Sequence, residues 1–501
     1  MNFHLEGLTV PRHPSTSLPN CSTDDVGRSV PRYRPLRRVA LLLTAATLSA
    51  GALSAPAAAE VGSLSTGTGS GGGQFGAPLE SLWRQAPDQR NTPFYTDPAP
   101  LEGAPGRVIR TEDAPMRTTA AGDALSAVGS TGAADAAGFS ATSERVLYES
   151  TDAYGAPLAT SGLYLRNDRP ADPRHGERPL VVLSPGTQGL GDHCVPSKTM
   201  PQVLDLQVSP GIGIGLGYEL GQAHFFLARG FNVFVPDFHG TGTPEDSTYL
   251  ARDAMAHATL DGARAAQNLP DSGLPAEPKV GLFGHSQGGG ATAAAAELAS
   301  EYSPELNIVG AAASGPPADL LATADVLDGG ANAGILGFLT AGLSAAYPDR
   351  AEALRGIFNE TGLEMVDRTA ESCVGESIGA YGFADSRQWT KDGRSFTENI
   401  RTTPELNDLF NSQRIGLRAP AMPVAVLQEP NDDIVPQQQV KQMAADWCER
   451  GAQVEYLEGF LPPILPGSAA VHMSADLHPK GADWLSNRVA DGPVVSTCQG
   501  A

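Results

Sequence analysis

The sequence predicts an α/β fold, with a mainly parallel β-sheet, helices on both faces and a large helical cap inserted late in the sheet. Two observations carry this prediction. Short apolar segments of strand length alternate with helix-like segments of roughly 13 to 20 residues, which is the pattern of a sheet buried on both faces. Residues 316–420 contain no convincing strand, and so long an interval between two sheet strands indicates a cap.

The elements follow one another in a regular order. An early hairpin is expected around Tyr154-Gly155, with strands at residues 146–150 and 159–166. Buried strands are predicted at residues 180–183, 231–235, 280–283, 306–313, 422–427 and 454–457. Helices are predicted at about residues 217–229, 249–268, 287–302, 437–450 and 474–489. Within the cap, the apolar stretch 335–346 is expected to form a helical pair.

The N-terminus predicts an export signal. Residues 28–38 contain five arginines and no acidic residue, residues 39–55 are apolar, and Ala57-Ala58-Ala59 precedes Glu60. A basic region, a short apolar region and a small-residue end are typical of a signal peptide, here with cleavage expected near Ala59 and secretion of the remainder. The apolar run is too short for a stable membrane span. Arg37-Arg38 fits twin-arginine export as well as the general route.

These patterns divide the chain into five parts. Residues 1–59 form the leader. Residues 60–142 are expected to be a flexible lead-in and N-terminal extension, because residues 61–76 and 118–138 are rich in small residues. Residues 143–315 and 421–501 would then form the two parts of the α/β core, with the cap at 316–420 between them.

Composition limits the class of protein. The chain has 501 residues, with 56 acidic and 34 basic side chains and a formal charge of −22. An excess of negative charge argues against nucleic-acid binding, because the protein repels the phosphate backbone. Hydrophobic residues make up 41% of the chain, which is enough for a packed core.

The cysteines agree with export. Cys21 falls in the leader, and four cysteines remain: Cys194, Cys373, Cys448 and Cys498. An even number in an oxidising compartment predicts two disulfides, for which three pairings are possible. There is no C-x-x-C pair and no H-E-x-x-H motif, so the sequence gives no support for a zinc site, and no cofactor is expected.

The nucleophile is predicted from a G-x-S-x-G motif that occurs twice. One copy contains Ser377, but it follows no strand and lies in the cap, so we reject it. The other, Gly284-His285-Ser286-Gln287-Gly288, follows a predicted strand directly and opens an Ala-rich helix. This strand–turn–helix context is that of a nucleophile elbow, in which glycines two residues away leave room for a strained serine. Ser286 is therefore the candidate nucleophile of an acyl-transfer reaction.

Chain order narrows the search for the other catalytic groups. On a fold with this elbow the order is serine, then Asp or Glu, then histidine. Only His472 and His478 follow the candidate acids, and His472, in the loop after the final strand, is preferred as the base. Asp432 and Asp433 both come just after the strand at 422–427, and the sequence does not choose between them.

The oxyanion donors are predicted from two loops. The start of the helix after Ser286 places the N–H of Gln287 and the positive end of the helix dipole where an oxyanion would form. A second donor is expected from the loop Ser184-Pro185-Gly186-Thr187-Gln188-Gly189, whose glycines permit close backbone approach and whose Gln188 offers a side-chain amide.

From about residue 93 to residue 498 the chain resembles the secretory lipase family of fungi and actinobacteria. Besides the elbow, the resemblance rests on these segments: Phe94-Tyr95, Pro105-Gly106, Cys194-Val195-Pro196-Ser197, Gly230-Phe231, Pro236-Asp237, residues 260–264, residues 306–310, residues 432–436, and Cys448 with Gly451. The apolar segment 459–467 looks longer than in the family and is a candidate lining of an acyl pocket. Gln188 stands where some relatives have an acid.

The resemblance implies an α/β-hydrolase fold and a lipase or esterase. It places the nucleophile on Ser286, the acid on Asp432 and the base on His472, and the oxyanion donors on Gln188 and Gln287. It also implies the disulfides Cys194–Cys373 and Cys448–Cys498. The expected partner is an apolar ester, either dissolved or at a lipid–water interface, with no nucleic acid and no stable membrane span.

Two alternatives stand beside this interpretation. A peptidase on the same fold would have the same elbow, and the apolar cap and the resemblance favour esters over peptides. A catalytically inactive binding protein could keep the fold, but three candidate triad members in the expected order argue against it. Acyl chain length, natural substrate and oligomeric state are not encoded in any recognisable pattern.

Overall fold

A computed structural model describes most of the chain beyond the predicted leader. The described residues are 92–96, 100–116, 141–202, 204–207, 213–465, 467–474 and 476–498. The predicted signal peptide, the lead-in at 61–76 and the small-residue stretch at 118–138 lie outside them. Among the described helices, none combines the length and the apolar character that a bilayer crossing requires.

The core is a nine-stranded, mostly parallel sheet with the order β1-β2-β3-β7-β4-β8-β9-β10-β11. Strands β1 to β3 and β7 pair antiparallel, and β7, β4, β8, β9, β10 and β11 run parallel. The bounds are β1 Val108–Asp113, β2 Ala141–Thr151, β3 Pro157–Asn167, β4 Leu180–Ser184, β7 Asn232–Pro236, β8 Val280–His285, β9 Ile308–Ser314, β10 Val424–Gln428 and β11 Val454–Glu458. A separate two-stranded ribbon pairs β5 (Leu204–Gln207) with β6 (Gly213–Leu216).

Helices cover both faces of this sheet. In chain order they are α1 Pro93–Thr96, α2 Pro196–Thr199, α3 Glu219–Ala228, α4 Arg252–Asn268 and α5 Gln287–Tyr302, and after the cap α13 Gln437–Glu449 and α14 His478–Val489. Alternate strand residues point to opposite faces, so Leu180 and Val182 pack with α4 and α5 while Val181 and Leu183 pack with α3 and α14. The predicted α/β sheet with helices on both sides is confirmed.

The cap lies between β9 and β10. Residues 316–420 are all described, and they form helices and loops with no strand of the sheet. The helices are α6 Leu320–Leu327, α7 Ile335–Ala346, α8 Pro348–Gly356, α9 Glu360–Ala370, α10 Val374–Tyr381, α11 Phe396–Thr402 and α12 Pro404–Ser412. The expected helical pair at 335–346 is wrong: the stretch is one helix, α7, with Gly337 and Gly342 inside it. Twelve residues hold only about three turns, which leaves no room for two helices and a connection between them.

The two disulfides have the pairing that the resemblance implies. Cys194, beside β4's loop, is bonded to Cys373 at the start of α10, and Cys448 in α13 is bonded to Cys498. The first bond therefore connects the core to the cap. His193 lies beside the first pair, but both neighbouring sulfur atoms, those of Cys194 and Cys373, are bonded to each other in the disulfide. They are therefore not available as thiolate ligands for a metal ion.

Candidate active site

Ser286 occupies the sharp turn between β8 and α5. Its backbone has φ 59° and ψ −124°, a positive φ that non-glycine residues seldom adopt. The turn is tight on both sides: a Cβ on Gly284 would lie 2.2 Å from the carbonyl oxygen of Gly288, and one on Gly288 would lie 2.0 Å from that of Ser184. Glycine at 284 and 288 is therefore a steric requirement, and the strained turn projects the serine out of the sheet edge.

The imidazole of His472 joins Ser286 to Asp432. Its Nε2 lies 2.8 Å from the Oγ of Ser286, and its Nδ1 lies 3.0 and 2.9 Å from the two carboxylate oxygens of Asp432. Asp432 follows β10 and His472 precedes α14, so both side chains come from loops at the carboxyl ends of parallel strands. Both side chains are only 3% exposed, which keeps these hydrogen bonds away from water.

The surroundings of Asp432 favour its ionised form. Burial acts to raise the pKa of this carboxyl, but the His472 ring and the N–H groups of Val435 and Ile434 outweigh burial and hold the pKa below its usual value. The amide of Gln428 also donates to Asp432, over 3.2 Å. A carboxylate fixed in this way can orient the imidazole and stabilise its cation.

Asp433 makes a different contact. Its Oδ1 accepts the backbone N–H of His472 over 3.2 Å, so it contacts the main chain of the histidine while Asp432 contacts the ring. The structure thus separates two neighbouring carboxylates that the sequence could not distinguish.

The remaining late histidine, His478, is not hydrogen-bonded to Ser286. It is buried at the start of α14, where its ring packs against those of Phe283 and His285. Burial lowers the pKa of His478 to about 4, so its ring is neutral near pH 7. His285 lies between the two late histidines, with its ring centre 4.7 Å from that of His472 and its Nδ1 3.0 Å from the Oγ of Ser314. Burial also holds the pKa of His285 well below its usual value.

The two expected oxyanion donors meet at one pocket. Gly186, Gln188 and Gln287 all line one small cavity beside the elbow. Gln287 is the first residue of α5, and the first N–H groups of a helix have no partner within it. The side-chain amide of Gln188, which the sequence offers as a donor, is instead directed to the carboxyl of Glu219 over 2.6 Å. With its side chain engaged in this way, Gln188 offers its backbone N–H as the candidate oxyanion donor of this loop.

Two other candidates have different surroundings. Ser377, of the second G-x-S-x-G motif, is a buried residue inside α10 and occupies no strand-to-helix turn. In the segment 459–467, the candidate lining of an acyl pocket, the side chains of Phe460, Ile464 and Leu465 are exposed, Phe460 at 76% and Leu465 at 71%. These three side chains do not line a buried pocket in this structure. Pro462, Pro463 and Gly467 disfavour a helix in this segment. Its apolar residues therefore lack the helical spacing that would direct them to one buried face.

Sequence reasoning missed two residues that support the site, Gln428 and Glu219. Gln428, the last residue of β10, donates to Asp432. Glu219 lies in an otherwise apolar stretch of the sequence, where it looks like a break in the apolar pattern of a helix. Only the folded chain brings Glu219 beside Gly186 and Gln188.

Comparisons with known proteins bear on the family and the fold. A family model described as "Secretory lipase" matches residues 207–497. "Probable inactive lipase MT1628" of Mycobacterium tuberculosis is 28% identical over 413 residues, covering 80% of this chain and 83% of that protein. "Secreted triacylglycerol lipase LIP4" of Malassezia globosa is 26% identical over 324 residues, covering 64% and 67% of the two chains. The closed-state structure of Candida antarctica lipase A aligns with a TM-score of 0.63 at 23% identity, covering 83% of this chain and 90% of that chain.

Proposed function

Because the chain belongs to the secretory lipase family, we propose that it is an exported serine hydrolase that cleaves carboxylic esters of apolar acyl chains through an acyl-enzyme on Ser286. The observation that supports this most is the unbroken chain of hydrogen bonds from Ser286 through His472 to Asp432. A serine hydroxyl is a weak nucleophile by itself, and it needs a neighbouring base that a third group holds in place.

In the proposed reaction, Ser286 attacks the ester carbonyl while Nε2 of His472 takes its proton. Asp432 keeps the proton of His472 on Nδ1 and stabilises the imidazolium cation. The imidazolium then gives its proton to the leaving alcohol, and the acyl group remains on Ser286. Water, deprotonated by the same imidazole, attacks the acyl-enzyme and releases the acid, which returns Ser286 to its starting state.

The charge that develops on the carbonyl oxygen would be received by the backbone N–H groups of Gln188 and Gln287. Both residues line the pocket beside the elbow and both are largely buried. Donors fixed in place before the reaction cost no reorganisation, and one such donor is worth about 3–4 kcal/mol in comparable sites.

The proposed substrate is an apolar ester presented at a lipid–water interface. Supporting this, Phe460, Ile464 and Leu465 are exposed in the segment just before His472, and Met473 directly after it is 52% exposed. The backbone N–H of Ala331 in the cap donates to the carbonyl of Gly467, so this apolar segment adjoins the cap. Exposed apolar patches of this kind are typical of surfaces that contact lipid or protein.

Export is proposed on two grounds. The basic and apolar segments before Ala59 have the form of a signal peptide, and both disulfides require an oxidising compartment. The Malassezia globosa relative is named a secreted lipase, which agrees with the proposal.

Replacing Ser286 by alanine tests the reaction. We expect Ser286→Ala to lower kcat for a p-nitrophenyl ester by about 10⁶-fold, because the histidine and aspartate have no nucleophile to activate. Ser377→Ala, in the matched second motif, should keep wild-type turnover. Equal loss in both variants, or retained turnover in Ser286→Ala, would refute the assignment.

A substrate panel separates the remaining alternatives. We expect turnover of esters, measured from C2 to C18 acyl chains as monomers and as emulsions, and none of aminoacyl anilides. Anilide cleavage would favour the peptidase. The relative from Mycobacterium tuberculosis is named a "Probable inactive lipase", which supports a binding protein without activity as the second candidate. Absence of turnover across the whole panel would favour that function.

A further inference from the structure

Residues 185–189, which we call the oxyanion loop, are held by a carboxylic acid from a helix far away in the sequence. Glu219, the first residue of α3, has no exposed surface, and its Oε1 accepts both the backbone N–H of Gly186 over 3.2 Å and the side-chain amide of Gln188 over 2.6 Å. Its Oε2 has no hydrogen-bond partner among the described residues. A buried carboxyl costs free energy, so its presence here calls for a role that an apolar residue could not fill.

The same loop is bound on its other sides. The phenol of Tyr218 donates to the carbonyl of Thr187 over 3.0 Å, and the hydroxyl of Thr187 lies 2.7 Å from that of Tyr249. From the cap, the N–H of Val374 donates to the carbonyl of Gln188 over 2.7 Å. The carbonyl of Thr187 and the N–H of Gln188 belong to one peptide group, so the bond from Tyr218 holds the plane that carries this N–H. The cap holds the carbonyl of Gln188 and Glu219 holds its side chain, which fixes the residue that follows that plane.

We propose that Glu219 is a positioning residue for ester hydrolysis, which fixes the oxyanion loop so that the backbone N–H of Gln188 points at the developing oxyanion. This inference rests on the proposed function. Glu219 contacts neither substrate nor Ser286; it acts through Gly186 and Gln188, which line the pocket with Gln287. A donor that is misdirected by a fraction of an ångström loses much of its effect on the transition state.

The ionisation of Glu219 gives this role a pH signature. Burial raises the pKa of this carboxyl to about 8, and the hydrogen bonds that it accepts from Gln188 and Gly186 offset only part of the effect. Two ionisable groups lie on this side of Glu219: the phenol of Tyr218 and, beyond Tyr218, the phenol of Tyr249. Burial raises the pKa of both phenols, so both stay neutral. Below pH 8 Glu219 is therefore neutral; above pH 8 it becomes a buried anion that opposes the oxyanion.

The test compares Glu219→Gln and Glu219→Ala with wild type in kcat and KM from pH 6 to pH 10. The glutamine amide keeps the acceptor oxygen but cannot ionise, so we expect kcat at pH 7 within about three-fold of wild type and no fall near pH 8. Alanine leaves Gly186 and Gln188 without their acceptor, and we expect kcat lower by about 10–100-fold with KM within about three-fold, since outright loss of a donor costs 10²–10³.

Glu149→Gln is the matched control, because Glu149 is equally buried but binds Arg107 and the N–H groups of Glu102 and Ala104 instead. It should keep both kcat and the pH profile of wild type. The proposal is overturned if folded Glu219→Ala has wild-type kcat, or if Glu219→Gln keeps the alkaline fall; if Glu219→Ala does not fold, the glutamine profile decides. Failure of the proposed function is distinct, because wild type itself would then show no turnover.

Discussion

At the scale of single residues, Asp432 and Asp433 contact different parts of the same histidine. Asp432 accepts from the ring Nδ1 of His472, and Asp433 accepts from its main-chain N–H. The first contact sets which ring nitrogen carries the proton, and the second only helps to place the loop. The two carboxylates should therefore differ sharply in their effect on catalysis.

Asp432→Asn should lower kcat by about 10⁴-fold, because an amide can hold His472 in the wrong tautomer and cannot balance its positive charge. Asp433→Asn is the matched control; its amide oxygen can still accept the N–H of His472, and we expect kcat within ten-fold of wild type. Both are measured as initial rates on one p-nitrophenyl ester. An equal effect of the two substitutions would contradict the assignment of Asp432.

The sequence could predict Ser286 but not the whole site, for a physical reason. The elbow is local: glycines at 284 and 288, a strand before and a helix after are all visible within a short window. Choices between Asp432 and Asp433, or His472 and His478, depend on loop conformations that bring together residues far apart in the chain. Glu219 was missed because its partners, Gly186 and Gln188, are about thirty residues away and on another element.

At the scale of elements, the buried strands and their helices were predictable because apolar runs of strand length alternate with helical segments. Strand β1 was missed because it is a half-exposed edge strand with the sequence VIRTED, which lacks such a run. The single helix α7 was mistaken for two because composition shows where helices form better than where they end. Cap helices were expected as a group, but their number depends on packing that the sequence does not display.

The disulfide Cys194–Cys373 connects two elements of the proposed machinery. Gly189 of the oxyanion loop forms a β-bridge with Cys373, next to the contact between Gln188 and Val374. The disulfide therefore holds the start of α10 in the cap against the oxyanion loop. Cys448–Cys498 lies away from these contacts, between α13 and the last described residues.

Replacing each pair by serine separates stability from activity. For chain separations of 179 and 50 residues, the chain-entropy model predicts losses of unfolding free energy of about 5 and about 4 kcal/mol, so both double variants should be destabilised to a similar degree. Only Cys194→Ser/Cys373→Ser should also lower kcat, by about ten-fold, because only it loosens the oxyanion loop. The measurements are denaturant unfolding and ester turnover on folded protein, and equal kcat in the two variants would argue against a role for the cap contact.

At the scale of the whole molecule, the α/β core, the cap and the loops serve one arrangement. Parallel strands end at a common edge, and their loops deliver Gln188, Ser286, Asp432 and His472 to that edge from four separate parts of the chain. From the cap, the N–H groups of Val374 and Ala331 donate to the carbonyls of Gln188 and Gly467, and Phe460, Ile464 and Leu465 are exposed in the segment just before His472. The family membership fits this arrangement, and a relative named a "Probable inactive lipase" shows why activity itself must be measured.

The most direct test of the central claim is to locate the covalent adduct on the intact protein. Wild-type protein is treated with a fluorophosphonate, digested and mapped by mass spectrometry. We predict one modified site, Ser286, with labelling that is prevented by an ester substrate and strongly slowed in His472→Ala but not in His478→Ala. Modification of Ser377 in place of Ser286, or no modification of a folded protein, would contradict the proposed serine hydrolase.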